Sequence, residues 1–277
     1  MIIRHNVPAL FAHRQYQTVS WKLDKNLEKL SSGMRINWAS DDAAGLAISE
    51  KMRTQIRGLN QAIRNAQDGI SLLHTAEGAL VEVNAILQRL RELAIESANG
   101  TYTDEDRVQI QFEVSQLIQE VDRIRDTTHF NKLYLLTGIF SLNTPAASMW
   151  FHVGANKDER FKVFFNDMGS AALGIQNLSL LTQDSANNAI QTLDNAIMKV
   201  ATQRNMIGAW INRLEHTIKN LSVAHESMVA AESRIRDVDM AKEMSNFVRN
   251  QILLQSSAAM LSQANTRPQV VLKLLGG

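Results

Sequence analysis

Seven histidines and the adjacent carboxylates of Asp41 and Asp42 are candidates for acid–base chemistry or metal binding. The histidines include no pair at the spacing of metal ligands on one helix or strand: they are His5, His13, His74, His129, His152, His216 and His225. His225 falls in an apolar helical stripe, where a hydrogen-bonded core histidine is the commoner role. Asp41 and Asp42 stand before a helical pattern, where capping explains carboxylates better than catalysis does. These residues predict neither a catalytic nor a metal site.

Other requirements of an enzyme are also missing from the sequence. There are no cysteines, which excludes disulfides and a cysteine nucleophile, and there is no glycine-rich phosphate loop. The net charge of +1 provides no field that would attract nucleic acid, and no apolar run reaches the roughly 20 residues that span a bilayer. We therefore expect no enzyme activity, no cofactor, no nucleic-acid partner and no membrane insertion.

The composition favours long helices. Three prolines, 13 glycines and 6% aromatic residues are few for 277 residues. Between Ile56 and Leu87, alternating steps of three and four residues meet apolar side chains at eight of ten positions, which is typical of a coiled coil. The pattern predicts one helix over about residues 42–98, roughly 85 Å long.

Capping residues mark the ends of the predicted helices. Ser40 and Asp41 are good N-cap residues for the long helix, and Gly33 is placed to end an earlier one. A third helix is predicted over about residues 104–125. The last helix is predicted to end at Asn265 and Pro268, because proline interrupts helices.

The two terminal helices each carry an apolar stripe. The members that we expect at an assembly contact are Tyr16, Val19, Leu23, Leu27 and Leu30 near the N-terminus, and Met244, Phe247, Gln251, Leu254, Ala258 and Leu261 near the C-terminus. Gln251 is polar in an otherwise apolar stripe, and one such residue can fix the register between helices. Apolar termini in a soluble chain require a partner, and further copies of the same chain are the natural one.

The helical pattern stops between about residues 133 and 182. Apolar side chains alternate there in two short runs: Met149, Phe151 and Val153, then Phe161, Val163 and Phe165. Together they predict a β-hairpin at about residues 145–168. A second helical seam runs from Ile207 to Met228, so we predict a mainly α fold, an elongated antiparallel helical rod with one small β-hairpin.

Motifs at both ends resemble flagellin, the subunit of the bacterial flagellar filament. The N-terminal motif is the run from Leu30 to Asn37 followed by Asp41 to Ser49, and the long helix carries Leu87 to Ala94. The C-terminal motif consists of Ser233 to Asp237, Gln251 to Leu253 and Gln263 to Asn265. The resemblance covers about residues 1–135 and 185–275.

A narrower resemblance lies in the middle of the chain. Residues Ser148 to Asn156 are similar to the hairpin of spirochaete filament core flagellins, as are Met1 to Ile3 and Arg236 to Met240. That subgroup assembles its filaments in the periplasm. Two departures from the family are Trp38, where a small or polar residue is usual, and the C-terminal Gly276-Gly277.

The resemblance implies the function and its partners. Residues 1–36 with 235–277 would form an inner-tube module, residues 37–234 a helical rod module, and no outer variable domains would be present. The chain would be exported through the flagellar type III channel and would polymerise with itself to transmit motor torque. Its expected partners are other core flagellins, sheath proteins, an export chaperone and the cap and junction proteins. Its expected location is a periplasmic filament, with an extracellular filament as the alternative.

The resemblance also points to a surface on the long helix. Arg89, Leu93 and Glu113 fall where flagellins carry the patch that the vertebrate innate receptor for flagellin recognises. The alternative is that these residues serve helix packing between neighbouring subunits.

Two other functions remain possible from the sequence. A hook–filament junction protein has similar ends, but that group tends to have a proline after the aspartate pair, and this chain has Ala43-Ala44-Gly45. A secreted helical adhesin is the second, and it would not depend on the terminal helices for its binding.

Overall fold

The computed structural model describes residues 5–141 and 148–275, with side chains described up to Arg267. Residues 1–4, 145–147 and 276–277, which belong to the predicted terminal module and hairpin, lie outside that range. The chain divides into two compact units. Unit 1 comprises Met1–Gln55 with Ser227–Gly277, and unit 2 comprises Ile56–Glu226. The predicted boundaries at residues 36/37 and 234/235 concern modules of a polymer and stay a prediction.

The predicted mainly α fold with a small antiparallel hairpin is confirmed. In chain order the elements are α1 (Val7–Ser32), α2 (Ala43–Ala98), α3 (Asp104–Thr127), β1 (His129–Phe130), β2 (Leu133–Tyr134), β3 (Met149–His152), β4 (Arg160–Val163), α4 (Ser170–Leu173), α5 (Gln183–Arg236) and α6 (Met240–Leu275).

The ends of α1 and α2 are set by local hydrogen bonds. Gly33 ends α1 in the left-handed conformation (φ 70°) and donates its N–H to the carbonyl of Lys29, as predicted. The predicted capping of α2 by Ser40 and Asp41 is wrong. Asp42 accepts the N–H of Gly45 at 2.8 Å, whereas the carboxylate of Asp41 turns back to the N–H of Trp38 at 3.1 Å.

The predicted end of α6 at Asn265 and Pro268 is also wrong, because the helix runs on to Leu275. Proline weakens a helix by removing one backbone N–H, and that loss can be compensated from outside the helix. α3 begins at Asp104 as predicted, with a capping box between Thr103 and Asp106, and it continues two residues beyond the predicted end, to Thr127.

The core of unit 2 lies between α2, α3 and α5. Every position of the predicted stripe from Ile56 to Leu87 is buried or half-buried, and so is every position of the second stripe from Ile207 to Met228. Arg91 of α2 pairs with Asp194 of α5 at 2.6 Å. Ser97, further along α2, bonds the carbonyl of Leu180, which precedes α5. A later residue of α2 thus contacts an earlier residue of the segment that contains Leu180 and Asp194, so α2 and that segment run antiparallel.

The hairpin β3–β4 covers this core. Phe151 pairs with Phe161, and Met149 pairs with Val163. Phe161 and Val163 are buried, and the ring of Phe151 lies on Gly69 of α2, where a Cβ would stand 3.3 Å from the ring. A glycine at this point of α2 lets the hairpin approach closely.

Two small elements were not predicted. Strands β1 and β2 are joined by Asn131 and Lys132, both at positive φ (48° and 65°), as in a type I′ turn. The usual sequence signal for that turn is Asn-Gly, and this chain has Lys132 in place of the glycine. The single-turn helix α4 is too short to show a periodic pattern.

By length and composition α2 is also apolar enough to cross a membrane. A core helix of a folded domain meets the same criterion, and Leu73, Leu80 and Leu87 of α2 are fully buried inside unit 2. The expectation of no membrane insertion stays a prediction.

Candidate assembly surface

The terminal helices α1 and α6 pack against each other in unit 1 and run antiparallel. Near the start of α1, Asn6 bonds the carbonyl of Ala264 at 3.0 Å. Near its end, Asn26 accepts a hydrogen bond from Asn250 at 2.6 Å and donates one to Glu243. Residues near the start of α1 contact the far part of α6, and residues near the end of α1 contact the first part of α6, so the two helices are antiparallel.

The pair buries its predicted stripes only in part. Among the described side chains of α1 and α6, Asn26 is the one that is buried, and it is polar. The half-buried members of the predicted stripes are Tyr16, Val19, Leu23, Leu30, Phe247, Leu254 and Leu261. The exposed members are Leu27 (56%), Met244 (46%), Gln251 and Ala258. Two helices alone thus give these stripes no enclosed core.

A second apolar face lies outside the predicted stripes. Exposed apolar residues on this side of the two helices include Leu10, Phe11, Trp21, Ile252, Leu253 and Met260. Phe11, Leu253 and Met260 line a groove of about 370 Å³ between the two helices. The sequence signal was present, because apolar residues stand on more than one side of both helices, but a single stripe of three and four steps does not include them.

Main-chain bonds between the two connectors join the helix pair to the ends of α2 and α5 that belong to unit 1. The N–H of Arg35 bonds the carbonyl of Arg236 at 2.7 Å, and the N–H of Val238 bonds the carbonyl of Gly33 at 3.0 Å. Met34 and Asp237 are bridged between them as an antiparallel β pair. We call residues 33–35 with 236–238 the connector clasp.

Charged groups reinforce this region. Arg236 bonds Glu50 at 2.7 Å, and this bond is the main cause that lowers the pKa of Glu50. Lys25 pairs with Asp41 at 2.8 Å, and the side-chain bond from Lys25, followed by the backbone bond from Trp38, lowers the pKa of Asp41. Both carboxylates are therefore ionised and engaged at neutral pH.

Trp38, which departs from the family pattern, is 64% exposed. Its indole N–H donates to Glu28, and its side chain borders an open cleft of about 560 Å³ together with Asp24 and Leu27. The ring thus adds apolar surface beside the apolar stripe of α1.

The second predicted site is divided between the surface and the core of unit 2. Arg89 pairs with Glu113 at 2.9 Å and with Glu92 at 3.3 Å. The hydrogen bond that Arg89 donates to Glu113 is the largest cause that raises the pKa of Arg89. Leu93 is only 2% exposed and packs in the core. The structure brings Arg89 and Glu113 together at the surface, and a role for all three residues in receptor recognition stays a prediction.

Within residues 5–141 and 148–275, no group of three or more histidine or acidic side chains is placed to hold a metal ion. The arrangement instead consists of apolar helical faces that lack a cover, which is the chemistry of association between proteins.

Comparison with known proteins identifies the family. Residues 3–141 match the bacterial flagellin N-terminal helical region, and residues 190–275 match the bacterial flagellin C-terminal helical region. The chain belongs to the flagellin family. This flagellin is 54% identical to a flagellar filament 33 kDa core protein of Treponema phagedenis and 52% identical to flagellin FlaB2 of Treponema pallidum, in each case over 99% of this chain and 100% of the relative.

Other relatives and solved structures agree with this assignment. The flagellin of Bacillus subtilis is 48% identical over 99% of this chain and 100% of the relative. The crystal structure of Bacillus cereus flagellin aligns with a TM-score of 0.51 at 31% identity, over 57% of this chain and 88% of that one. A putative flagellar hook-associated protein from Vibrio parahaemolyticus shares the fold (TM-score 0.59, 16% identity, 71% of this chain and 100% of that one).

Membership of the family confirms two predictions. Flagellins are structural proteins that polymerise into filaments, so this flagellin is a structural filament protein and not an enzyme. Over 99% of its length it is similar to a core protein of a spirochaete flagellar filament.

Proposed function

We propose that this flagellin forms the core of a periplasmic flagellar filament by polymerising through the apolar faces of α1 and α6, and that the polymer transmits motor torque. The observation that carries the proposal is the state of the α1–α6 pair. It exposes Phe11, Trp21 and Ile252 by 55–60%, and Asn26 is its one buried side chain among those described.

The free energy available from covering these faces is large. Complete burial of one aliphatic or aromatic side chain contributes about 1.5–3 kcal/mol. The exposed apolar residues of both helices face a groove and the solvent, so neighbouring copies that insert their own helices would bury many such side chains at once. The predicted assembly residues, from Tyr16 to Leu30 and from Met244 to Leu261, lie on the same two helices.

The periplasmic location is supported by the similarity to treponemal core proteins over their whole length and by the hairpin that resembles the spirochaete subgroup. The partners that follow are other core flagellins, sheath proteins, an export chaperone and the cap and junction proteins. The alternative is an extracellular filament. Electron cryotomography of the producing cell distinguishes the two, because only a periplasmic filament lies between the two membranes.

Deletion of the last 30 residues tests polymerisation. It removes the C-terminal part of α6 and leaves unit 2 complete. The truncated chain should keep the helical circular dichroism of unit 2 and fail to form filaments that sediment. A chain that still sediments as ordered filaments would exclude the terminal helices as the polymer contact, and retained host binding without polymerisation would favour the adhesin.

For the second predicted site we infer that Arg89 and Glu113 lie at a contact between neighbouring subunits, and that receptor recognition is a consequence for free subunits. Their exposed ion pair supports this reading. The variant Arg89→Ala should weaken filaments more than Arg123→Ala, a control that removes another exposed arginine paired with a glutamate on unit 2. If both variants weakened the filaments equally, Arg89 would have no special role at a subunit contact.

A further inference from the structure

Asn6 uses both ends of its side-chain amide. Its Oδ1 accepts the N–H of Ala9 at 3.2 Å, which caps the start of α1. Its Nδ2 donates to the carbonyl of Ala264 on α6 at 3.0 Å. One side chain therefore begins one terminal helix and contacts the other.

Ala264 occupies a special position in α6, because it lies four residues before Pro268. In an α-helix each carbonyl accepts a hydrogen bond from the N–H four residues later, and proline has no N–H. The helix nevertheless continues to Leu275. The carbonyl that lacks its normal donor is thus the one that the amide of Asn6 reaches.

We propose that Asn6 is a positioning residue that replaces the missing N–H of Pro268 and thereby fixes the register of α1 against α6. The carbonyl one turn earlier, that of Met260, already accepts the N–H of Ala264 within the helix. A shift of α6 by one turn would therefore place the Asn6 amide against a carbonyl that has its donor. Pro268 leaves the carbonyl of Ala264 without a donor inside α6, and Asn6 bonds that carbonyl.

The register has a consequence for the groove described above. Phe11 on α1 and Met260 on α6 line it together, each within about one and a half turns of the Asn6–Ala264 bond. The inference rests on the proposed function in one respect, because the groove matters for assembly only if the helix pair is the polymer contact.

A double-mutant cycle on the full-length chain tests the proposal. Asn6→Ser keeps a good N-cap oxygen but is too short to reach Ala264. Pro268→Ala restores the N–H that bonds Ala264 from within α6. The four chains to compare are the wild type, N6S, P268A and N6S/P268A, and the measurement is hydrogen exchange of the amides in residues 260–275.

N6S alone should raise these exchange rates about three- to tenfold, the value of one hydrogen bond. In the P268A background the same substitution should change them by less than about twofold, because the carbonyl no longer needs an outside donor. Asn65→Ser is the matched control. It removes another asparagine amide that donates to a backbone carbonyl, that of His152 in unit 2 at 3.0 Å, and P268A should not alter its effect.

Equal effects of N6S in both backgrounds would overturn the proposal, as would an absence of any effect in the wild type. Sedimentation of the same four chains separates this result from the proposed function. If no chain polymerises but the exchange rates show the predicted rescue, the proposed function fails and the role of Asn6 holds.

Discussion

Asn26 of α1 accepts a hydrogen bond from the side-chain amide of Asn250 of α6 at 2.6 Å, and it is the one buried side chain described in the terminal pair. The amide of Asn26 also donates to Glu243. A polar group in this position contributes less to stability than an apolar one, and its use is to select one arrangement of the two helices.

The first prediction concerns this polar contact. Asn26→Leu should leave polymerisation intact or strengthen it, because an apolar side chain replaces a buried polar one, but it should broaden the set of helix registers. Power spectra of single filaments would then show more than one lattice. The control is Asn246→Ala, because Asn246 donates to the same carboxylate, Glu243, at 3.4 Å from within α6. A single sharp lattice in Asn26→Leu filaments would contradict the prediction.

The second prediction concerns the exposed apolar face. Ile252 is 60% exposed, so Ile252→Asp should change the free energy of unfolding of the subunit by no more than about 0.5 kcal/mol. In the filament the same change would bury an unpaired carboxylate, which costs several kcal/mol. Sedimentation should show the critical concentration rising at least about 100-fold, as a difference of about 3 kcal/mol requires. Ile252→Leu keeps the apolar surface and should polymerise normally, so failure of that variant would point to misfolding instead.

The third prediction concerns the contact between α2 and the hairpin. Gly69→Ala places a Cβ 3.3 Å from the ring of Phe151. Crowding of about 1–3 kcal/mol is partly offset by a helix-propensity gain of about 1 kcal/mol, so unit 2 should be destabilised by up to about 2 kcal/mol in denaturant unfolding. The smaller side chain of Phe151→Leu should make the alanine less costly, so the double variant should be more stable than the sum of the two single changes predicts. Gly78→Ala is the control, because a Cβ at Gly78 meets no atom within 4 Å and alanine favours the helix there.

The fourth prediction concerns pH. The pKa of Asp41 is lowered by its bonds from Lys25 and from the backbone N–H of Trp38. A depressed folded-state pKa means that Asp41 contributes stability above its unfolded value, near pH 4, and that this contribution is lost as the pH falls through the folded value. The connector of residues 33–42 should loosen below about pH 4, which hydrogen exchange of the amides of Asn37 and Trp38 would record.

Asp41→Asn should remove most of that pH dependence. The chain should then show the loosened connector already at neutral pH, since Lys25 has lost its ionic partner. Persistence of the same acid transition in Asp41→Asn would assign it to another carboxylate, with Glu50 the first to examine, because its pKa is lowered by Arg236.

The helices that could be predicted are those whose signals are local. The stripe from Ile56 to Leu87 and the αL position of Gly33 depend on neighbours within one or two turns, and both agree with the structure. The hairpin followed from alternation for the same reason. Period and capping chemistry act over short distances, which a sequence shows directly.

The features that were missed depend on partners far away in the chain. Pro268 was predicted to end α6 because proline interrupts helices, but the carbonyl of Ala264 finds a donor 258 residues earlier, at Asn6. Asp41 was predicted as a cap, but Lys25 and the backbone of Trp38 engage it, so that Asp42 caps α2 instead. The apolar face with Ile252 and Met260 was missed for a different reason: a single stripe of three- and four-residue steps follows one side of each helix and does not include it.

The connector clasp also bears on how this protein can change over evolution. Its two hydrogen bonds, from Arg35 to Arg236 and from Val238 to Gly33, join a main-chain N–H to a main-chain carbonyl, so neither bond involves a side chain. Substitutions at Met34 or Asp237 leave those bonds available, whereas an inserted or deleted residue on one side shifts every donor away from its acceptor. The connector clasp therefore tolerates substitutions more readily than insertions or deletions. The number of residues in each of the two connectors is constrained more strongly than their identity.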